Sequence, residues 1–204
     1  YTLIDTFSKK LKKTNIAIGA QNCFFKSNYG PSTGQINAKM LRDVGAKFVI
    51  IGHSENRSLG EDDKTINKKI HSALNEKLII IFCIGETLDQ RKKKFTKKIL
   101  TKQIINGLKK VKKNSKIILA YEPVWSIGSG LVPDNNELTN NIKLIKSVIN
   151  RNTRIKNIRV LYGGSVNSAN IKDLNKVNDI DGYLIGNTSL NSKKFIDIVK
   201  KIYI

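Results

Sequence analysis

No stretch of this sequence is apolar for anything near the ~18 residues that a bilayer-spanning helix needs, and no basic start followed by a short apolar run opens it. Neither a membrane partner nor a secretory leader is indicated. Cysteine is almost absent: Cys23 and Cys83 are the only two, each in apolar sequence and without metal-ligand spacing. They read as two reduced thiols in a cytoplasmic protein. Proline is scarce, and no Pro-rich or low-complexity break divides the chain, so one domain or at most two is expected. Methionine is scarcer: Met40 is the only one, and the chain opens on Tyr1. Position 1 is therefore not an ordinary translation start, and the expectation is a processed chain or, preferably, one lacking its N-terminus. No G-x-G-x-x-G follows an apolar run, and there is no metal-ligand cluster, nucleophile elbow or cofactor motif, so no cofactor and no metal are expected.

Acidic residues are also few, 16 against 37 lysines and arginines, for a net charge of +21. Such a balance raises the question of a polyanion partner, and residues 91–113 look at first like a nucleic-acid surface. The apolar positions Phe95, Ile99, Leu100, Ile104, Ile105, Leu108 and Val111 recur at helical spacing, which puts the lysines on the solvent face of an amphipathic helix. Lys, Ile and Asn are abundant along the whole chain, and no aromatic interleaving, RNP-like motif or zinc spacing accompanies the charge. No specific nucleic-acid partner is expected.

What is present is an alternation of apolar runs and helix-period segments. Strands are expected at 16–20, 47–52, 78–84, 117–122, 158–162 and 182–186, each buried on both faces. Helices are expected at 1–13, 37–45, 64–77, 91–113, 136–150, 169–176 and 192–203. Repeated strand–helix units argue a parallel α/β sheet, either open and doubly wound or closed as a (β/α)8 barrel. Polar residues follow nearly every strand: Gln21-Asn22, His53-Ser54-Glu55, Gly85-Glu86, Glu122, Gly163-Gly164-Ser165 and Gly186-Asn187. A ring of such residues at the strands' C-terminal ends favours the barrel.

Residues 117–130, IILAYEPVWSIGSG, carry the strongest chemical signal. A buried-strand pattern that stops on Glu122 is unusual, because glutamate is rarely set against a core without a partner or a task. The following loop starts rigidly at Pro123-Val124-Trp125 and ends in Gly128 and Gly130, as a closing lid would. Two readings stay open: a base beneath a lid, or a strand-end glutamate facing water beside an ordinary loop. His53 follows another apolar run and shares its turn with Glu55 and Arg57, whereas His71 sits in a Lys-rich helix pattern and reads as structural. A helix N-terminus at Ser54 would favour neutral imidazole at His53. Glycine turns at 163–165 and 186–187 leave backbone N–H groups free to face an anion such as a phosphate. A base and an electrophile without metal or cofactor suit proton abstraction next to a carbonyl.

The segments AIGAQN, GPSTGQI, IIGHSE, CIGETL, AYEPVWSIGSG and YGGSV, in this order, resemble the successive motifs of the triosephosphate isomerase family. The resemblance spans the whole chain. It implies a (β/α)8 barrel and, in glycolysis and gluconeogenesis, the interconversion of dihydroxyacetone phosphate and glyceraldehyde 3-phosphate. The pairing of a glutamate base with a neutral histidine is known of this family, and the resemblance carries those roles to Glu122 and His53, with Glu55 in support. It also implies that Gly128, Ser165, Gly186 and Asn187 hold the phosphate of the triose phosphate substrate, and that a homodimer forms through the loop around Thr33.

Three departures accompany the resemblance. Nothing matches the family's G-N-W-K segment, and residues 1–13 align with the helix after its second strand. The expected fold is therefore a barrel with strands three to eight present and the first two missing, nearly inactive by itself. Asn187 stands where the family has a second glycine, and asparagine is the least costly replacement if that backbone has φ > 0. Gln35 and Asn56 replace an acid and an arginine that pair across the family's dimer interface, and a neutral hydrogen bond could take their place. The alternatives are a non-catalytic decayed barrel acting as a basic binding protein and, more remotely, a different phosphosugar isomerase.

Overall fold

In the computed structural model, residues 1–26 and 29–203 are described. Six strands, β1 Gly19–Ala20, β2 Phe48–Ile51, β3 Ile79–Ile84, β4 Ile117–Tyr121, β5 Arg159–Tyr162 and β6 Gly182–Tyr183, form one sheet in the order of the sequence. Every neighbouring pair is parallel. Each return to the same end of the sheet needs a crossover, and helices supply it: α1 Ile4–Lys10, α2 Ala38–Asp43, α3 Ser54–Ser58, α4 Asp63–Asn75, α5 Leu88–Lys92, α6 Thr96–Gly107, α7 Asn135–Asn152, α8 Ile171–Leu174 and α9 Ser192–Tyr203. No helix among the described residues is long and apolar enough to cross a membrane.

The expectation of a (β/α)8 barrel with strands three to eight present and the first two missing needs correction. The described residues build a six-stranded parallel half-barrel in which β1 and β6 each pair on one side only. These two edge strands are two residues long, against five or six for the central β4 and β3. Short edges offer few unpaired backbone groups to another chain.

The expectation that every strand is buried on both faces holds at the C-terminal ends of β3 and β4, where Phe82–Ile84 and Leu119–Tyr121 are all buried, and is corrected elsewhere, where burial alternates. Val49, Ile51, Ile80, Phe82, Leu119 and Val160 are fully buried in the core shared with α4, α6 and α7, while Ile50, Ile81, Ile118 and Leu161 are half-buried. Each fully buried branched side chain contributes about 1.5–3 kcal/mol relative to exposure, so the helix-facing layer carries most of the hydrophobic stabilisation.

The basic segment at 91–113 is two helices rather than one. The break falls at Lys93–Phe95, where Lys94 has φ 58°, and only α6 keeps the expected buried stripe, with Leu100 and Ile104. Helix α5 begins with a capping box: the Thr87 hydroxyl accepts from the Gln90 N–H, and the Gln90 side chain accepts from the Thr87 N–H.

Parallel register places the chemistry at one end. Cys83 pairs with Ala120 and Ile84 with Tyr121, so Gly85 and Glu122 leave the sheet side by side. The Glu122 N–H donates to the Ile84 carbonyl at 2.8 Å, and the Gly163 N–H donates to the Tyr121 carbonyl at 2.9 Å. A side chain at Gly163 would meet Glu122 Cγ at 2.7 Å, so this approach admits only glycine.

Candidate active site

Glu122 is 2 % exposed, which removes the reading of a strand-end glutamate in water. Burial pushes it up to about 8, the Cys83 thiol and the Arg57 guanidinium pull against that shift, and the nearby Glu55 carboxylate adds to it. Its Oε1 lies 3.5 Å from His53 Nε2.

His53 is the N-cap of α3, and its Nδ1 accepts the Glu55 backbone N–H at 3.4 Å. A nitrogen that accepts carries no proton, so the neutral ring bears its hydrogen on Nε2, the atom facing Glu122. Glu55 itself is largely exposed, with Oε2 3.9 Å from His53 Nδ1.

Glu122, His53, Glu55, Gly128, Ser165 and Gly186 line one cavity of about 740 Å³, together with Asn187. The structure thus brings every sequence-selected site residue to the same opening. It differs in how the anion-facing groups are arranged. The Ser165 N–H donates to Ser126 Oγ at 3.1 Å, so its hydrogen is already engaged. Asn187 begins a 3-10 turn, Asn187–Leu190, and does not have a positive φ, so the substitution for glycine carries no backbone strain.

The loop after Glu122 is anchored at its start and bent at its end. Val124–Ser126 form a 3-10 turn, and Gly128 and Gly130 have φ 67° and 78°. The indole N–H of Trp125 donates to Glu86 Oε1 at 2.9 Å. Glu86 is fully buried, its carboxyl is held above the ordinary range by burial, and the Tyr121 hydroxyl also bonds to it. Arg91 stacks on Trp125 at 4.3 Å and grips Glu137 through two 2.8 Å hydrogen bonds.

Several residues that shape the site carry no mark of this role in the sequence, although Arg57 stands out there by sharing the turn of His53. Cys83, read only as a free thiol, is buried against Glu122. Arg57 ties the ends of β2 and β3 together, donating to the Gly52 carbonyl at 2.8 Å and the Cys83 carbonyl at 3.4 Å, and it pairs with Asp63 at 2.8 Å. Gln103 bonds both the N–H and the carbonyl of Gly85. The one available signal was position, since Gly52, Cys83 and Gly85 all lie at strand ends. His71 bonds the Lys109 carbonyl at 3.0 Å, away from this cavity, as a structural histidine would.

The family model described as triosephosphate isomerase matches residues 1–202. The chain is 41% identical over 203 residues to the triosephosphate isomerase of Thermodesulfovibrio yellowstonii, covering 98% of this chain and 82% of the relative. It is 44% identical over 206 residues to that of Dictyoglomus thermophilum, with the same coverage. The crystal structure of triosephosphate isomerase from Bartonella henselae superposes with a TM-score of 0.90 at 35% identity, covering 98% of this chain and 83% of that one.

These matches run the length of the chain, so the expectation of a barrel with its first two strands missing is not borne out, and the described residues form a six-stranded parallel half-barrel. The alternative of a decayed basic binding protein finds no support among these relatives. Motif order, fold and whole-length similarity agree, and the chain belongs to the triosephosphate isomerase family.

Proposed function

We propose that Glu122 is the base and His53 the electrophile in the family's reaction, the interconversion of dihydroxyacetone phosphate and glyceraldehyde 3-phosphate in glycolysis and gluconeogenesis. The Glu122 carboxylate takes a proton from the carbon beside the carbonyl, giving an enediolate. The Nε2–H of His53 donates to the oxygen on which charge develops. The hydroxyl proton of the enediolate then passes to the other oxygen by way of His53 Nε2 while Glu122 returns its proton to the neighbouring carbon, so the enzyme ends unchanged. The observation that carries this reading is the buried carboxylate 3.5 Å from a ring nitrogen that bears hydrogen, at one cavity with two glycine turns.

Gly128, Ser165, Gly186 and Asn187 hold the phosphate, with Ser165 exchanging its bond to Ser126 for the ligand. Glu55 supports the ring of His53 from its solvent side. Residues 123–130 close over the substrate and exclude water. Residues 1–204 act as one domain, in the cytoplasm, as a homodimer through the exposed loop around Thr33.

Isomerisation run in deuterium oxide tests the mechanism. Deuterium should enter the product at the carbon beside the carbonyl, and Glu122→Gln should lower both turnover and exchange by about 10³-fold or more. Turnover within about tenfold of the wild-type chain after that substitution would refute the assignment.

A further inference from the structure

One serine hydroxyl ties both ends of the loop after Glu122 to a glycine turn of the cavity. Ser126 closes the 3-10 turn Val124–Ser126 and is fully buried. Its Oγ lies 2.5 Å from the Leu131 carbonyl oxygen, 3.0 Å from the Tyr162 hydroxyl and 3.1 Å from the Ser165 backbone nitrogen. The turn makes room for it at Gly164, where a side chain would meet Ser126 Oγ at 2.6 Å and clash with the Tyr162 hydroxyl.

The direction of each bond follows by elimination. A carbonyl only accepts and a backbone N–H only donates, so the single hydrogen of Ser126 goes to Leu131 and one lone pair takes the Ser165 N–H. The second lone pair is left for Tyr162, which must donate. Burial pushes the Tyr162 hydroxyl up to about 12, so it keeps that proton at neutral pH. Ser126 Oγ thus uses its hydrogen and both lone pairs within the chain. Ser165 is placed differently: it lines the cavity, yet its N–H is spent on a residue of the loop.

We propose that Ser126 is a positioning residue that occupies the Ser165 N–H in the unliganded chain, so that a substrate phosphate binds by displacing the Ser126 hydroxyl and this exchange sets substrate affinity. The assignment rests on the isomerase reading, in which Ser165 holds the phosphate. It also links binding to the loop. When the phosphate takes the N–H, Ser126 loses one of its two bonds to the end of β5 but keeps Leu131, so both ends of the loop are loosened together.

The experiment measures the Kd of glycerol 3-phosphate, which cannot be isomerised, and of inorganic phosphate, through the fluorescence of Trp125, the only tryptophan. KM and kcat for isomerisation are measured beside them, for the wild-type chain, Ser126→Ala and Tyr162→Phe. One neutral hydrogen bond corresponds to about three- to tenfold in an equilibrium constant. Ser126→Ala leaves nothing to displace, so both Kd values and KM should fall by about that factor, with kcat within about twofold. Tyr162→Phe removes a bond to the same oxygen but leaves the Ser165 N–H engaged, so its Kd should stay within about twofold of the wild-type value. Each variant leaves a buried polar group with one partner fewer, so both should melt lower, and their different Kd values separate affinity from stability. In the wild-type chain, the Ser165 amide resonance should move on titration with glycerol 3-phosphate.

An unchanged or raised Kd in Ser126→Ala would overturn the proposal in favour of a structural tie. An equal fall in both variants would overturn it in favour of a loop that is merely loosened. A Ser165 resonance that does not move would overturn it whatever the variants do. If the wild-type chain binds glycerol 3-phosphate but does not isomerise, the isomerase reading fails, and the Kd series still decides the role of Ser126. Absence of binding in the wild-type chain and Ser126→Ala alike would overturn both.

Discussion

Glu122 is a base held where its charged form is disfavoured, and two pH curves follow from that placement. In the free enzyme kcat/KM should rise with pH to a limb near 8, where burial has moved this carboxyl. Glu122→Gln should lower kcat/KM by about 10³-fold or more, measured in a coupled assay. Stability runs the other way. The carboxyl ionises near 8 when folded and near its ordinary 4.5 when unfolded, so between those values the folded chain keeps a proton that the unfolded chain has released. Stability therefore falls as pH rises through that window. Thermal denaturation should show Glu122→Gln melting above the wild-type chain at pH 8.5, with the gain vanishing near pH 5; equal melting at both values would refute the buried-carboxyl account. The sequence showed that Glu122 ends an apolar run, but it could not show that Cys83 lies against it. Cys83 looks like any core cysteine until β3 and β4 are set in register.

The loop that follows Glu122 is fastened to α5 and β4 through a buried acid. Trp125→Phe keeps the ring but removes the indole donor, leaving the fully buried Glu86 with one bond fewer. An unsatisfied buried acceptor costs about 1–3 kcal/mol, which urea denaturation would read as a lowered midpoint at constant slope. Thr87→Ala, which opens the capping box of α5, should cost about 1 kcal/mol and loosen Arg91 over the same ring. An unchanged urea midpoint in either variant would show that the element does not hold the loop. The elements themselves were readable in the sequence where periodicity was strong. Helix α9 spans the expected 192–203, and β3 and β5 begin one residue later than expected. Where the reading failed, the deciding force was tertiary. Nothing marks the break before α6, because the left-handed residue is Lys94 and not glycine or asparagine. Residues 16–18 have strand composition, yet only Gly19–Ala20 pair, since β1 has a neighbour on one side alone.

Charge acts on the molecule as a body. A net +21 repels itself, and the described ion pairs do not offset an excess of that size. Added potassium chloride should therefore raise the melting temperature, by several degrees between about 10 mM and 0.5 M, and lower kcat/KM for a dianionic substrate as steering is screened. A melting temperature that falls with salt would mean that the ion pairs outweigh the repulsion. The six strands were legible as a parallel α/β sheet, but the claim of two further strands missing from a closed ring was not sound, because a repeat of strand and helix fixes the unit and not how many units close a ring. The order of that sheet, β1 to β6 without exchange, has a further consequence for biosynthesis. On a ribosome, each strand that emerges meets a partner made just before it, across a connection of one helical unit. Growth of the polypeptide and growth of the sheet then proceed in the same direction, with no strand waiting for a distant mate and the advancing edge always the newest.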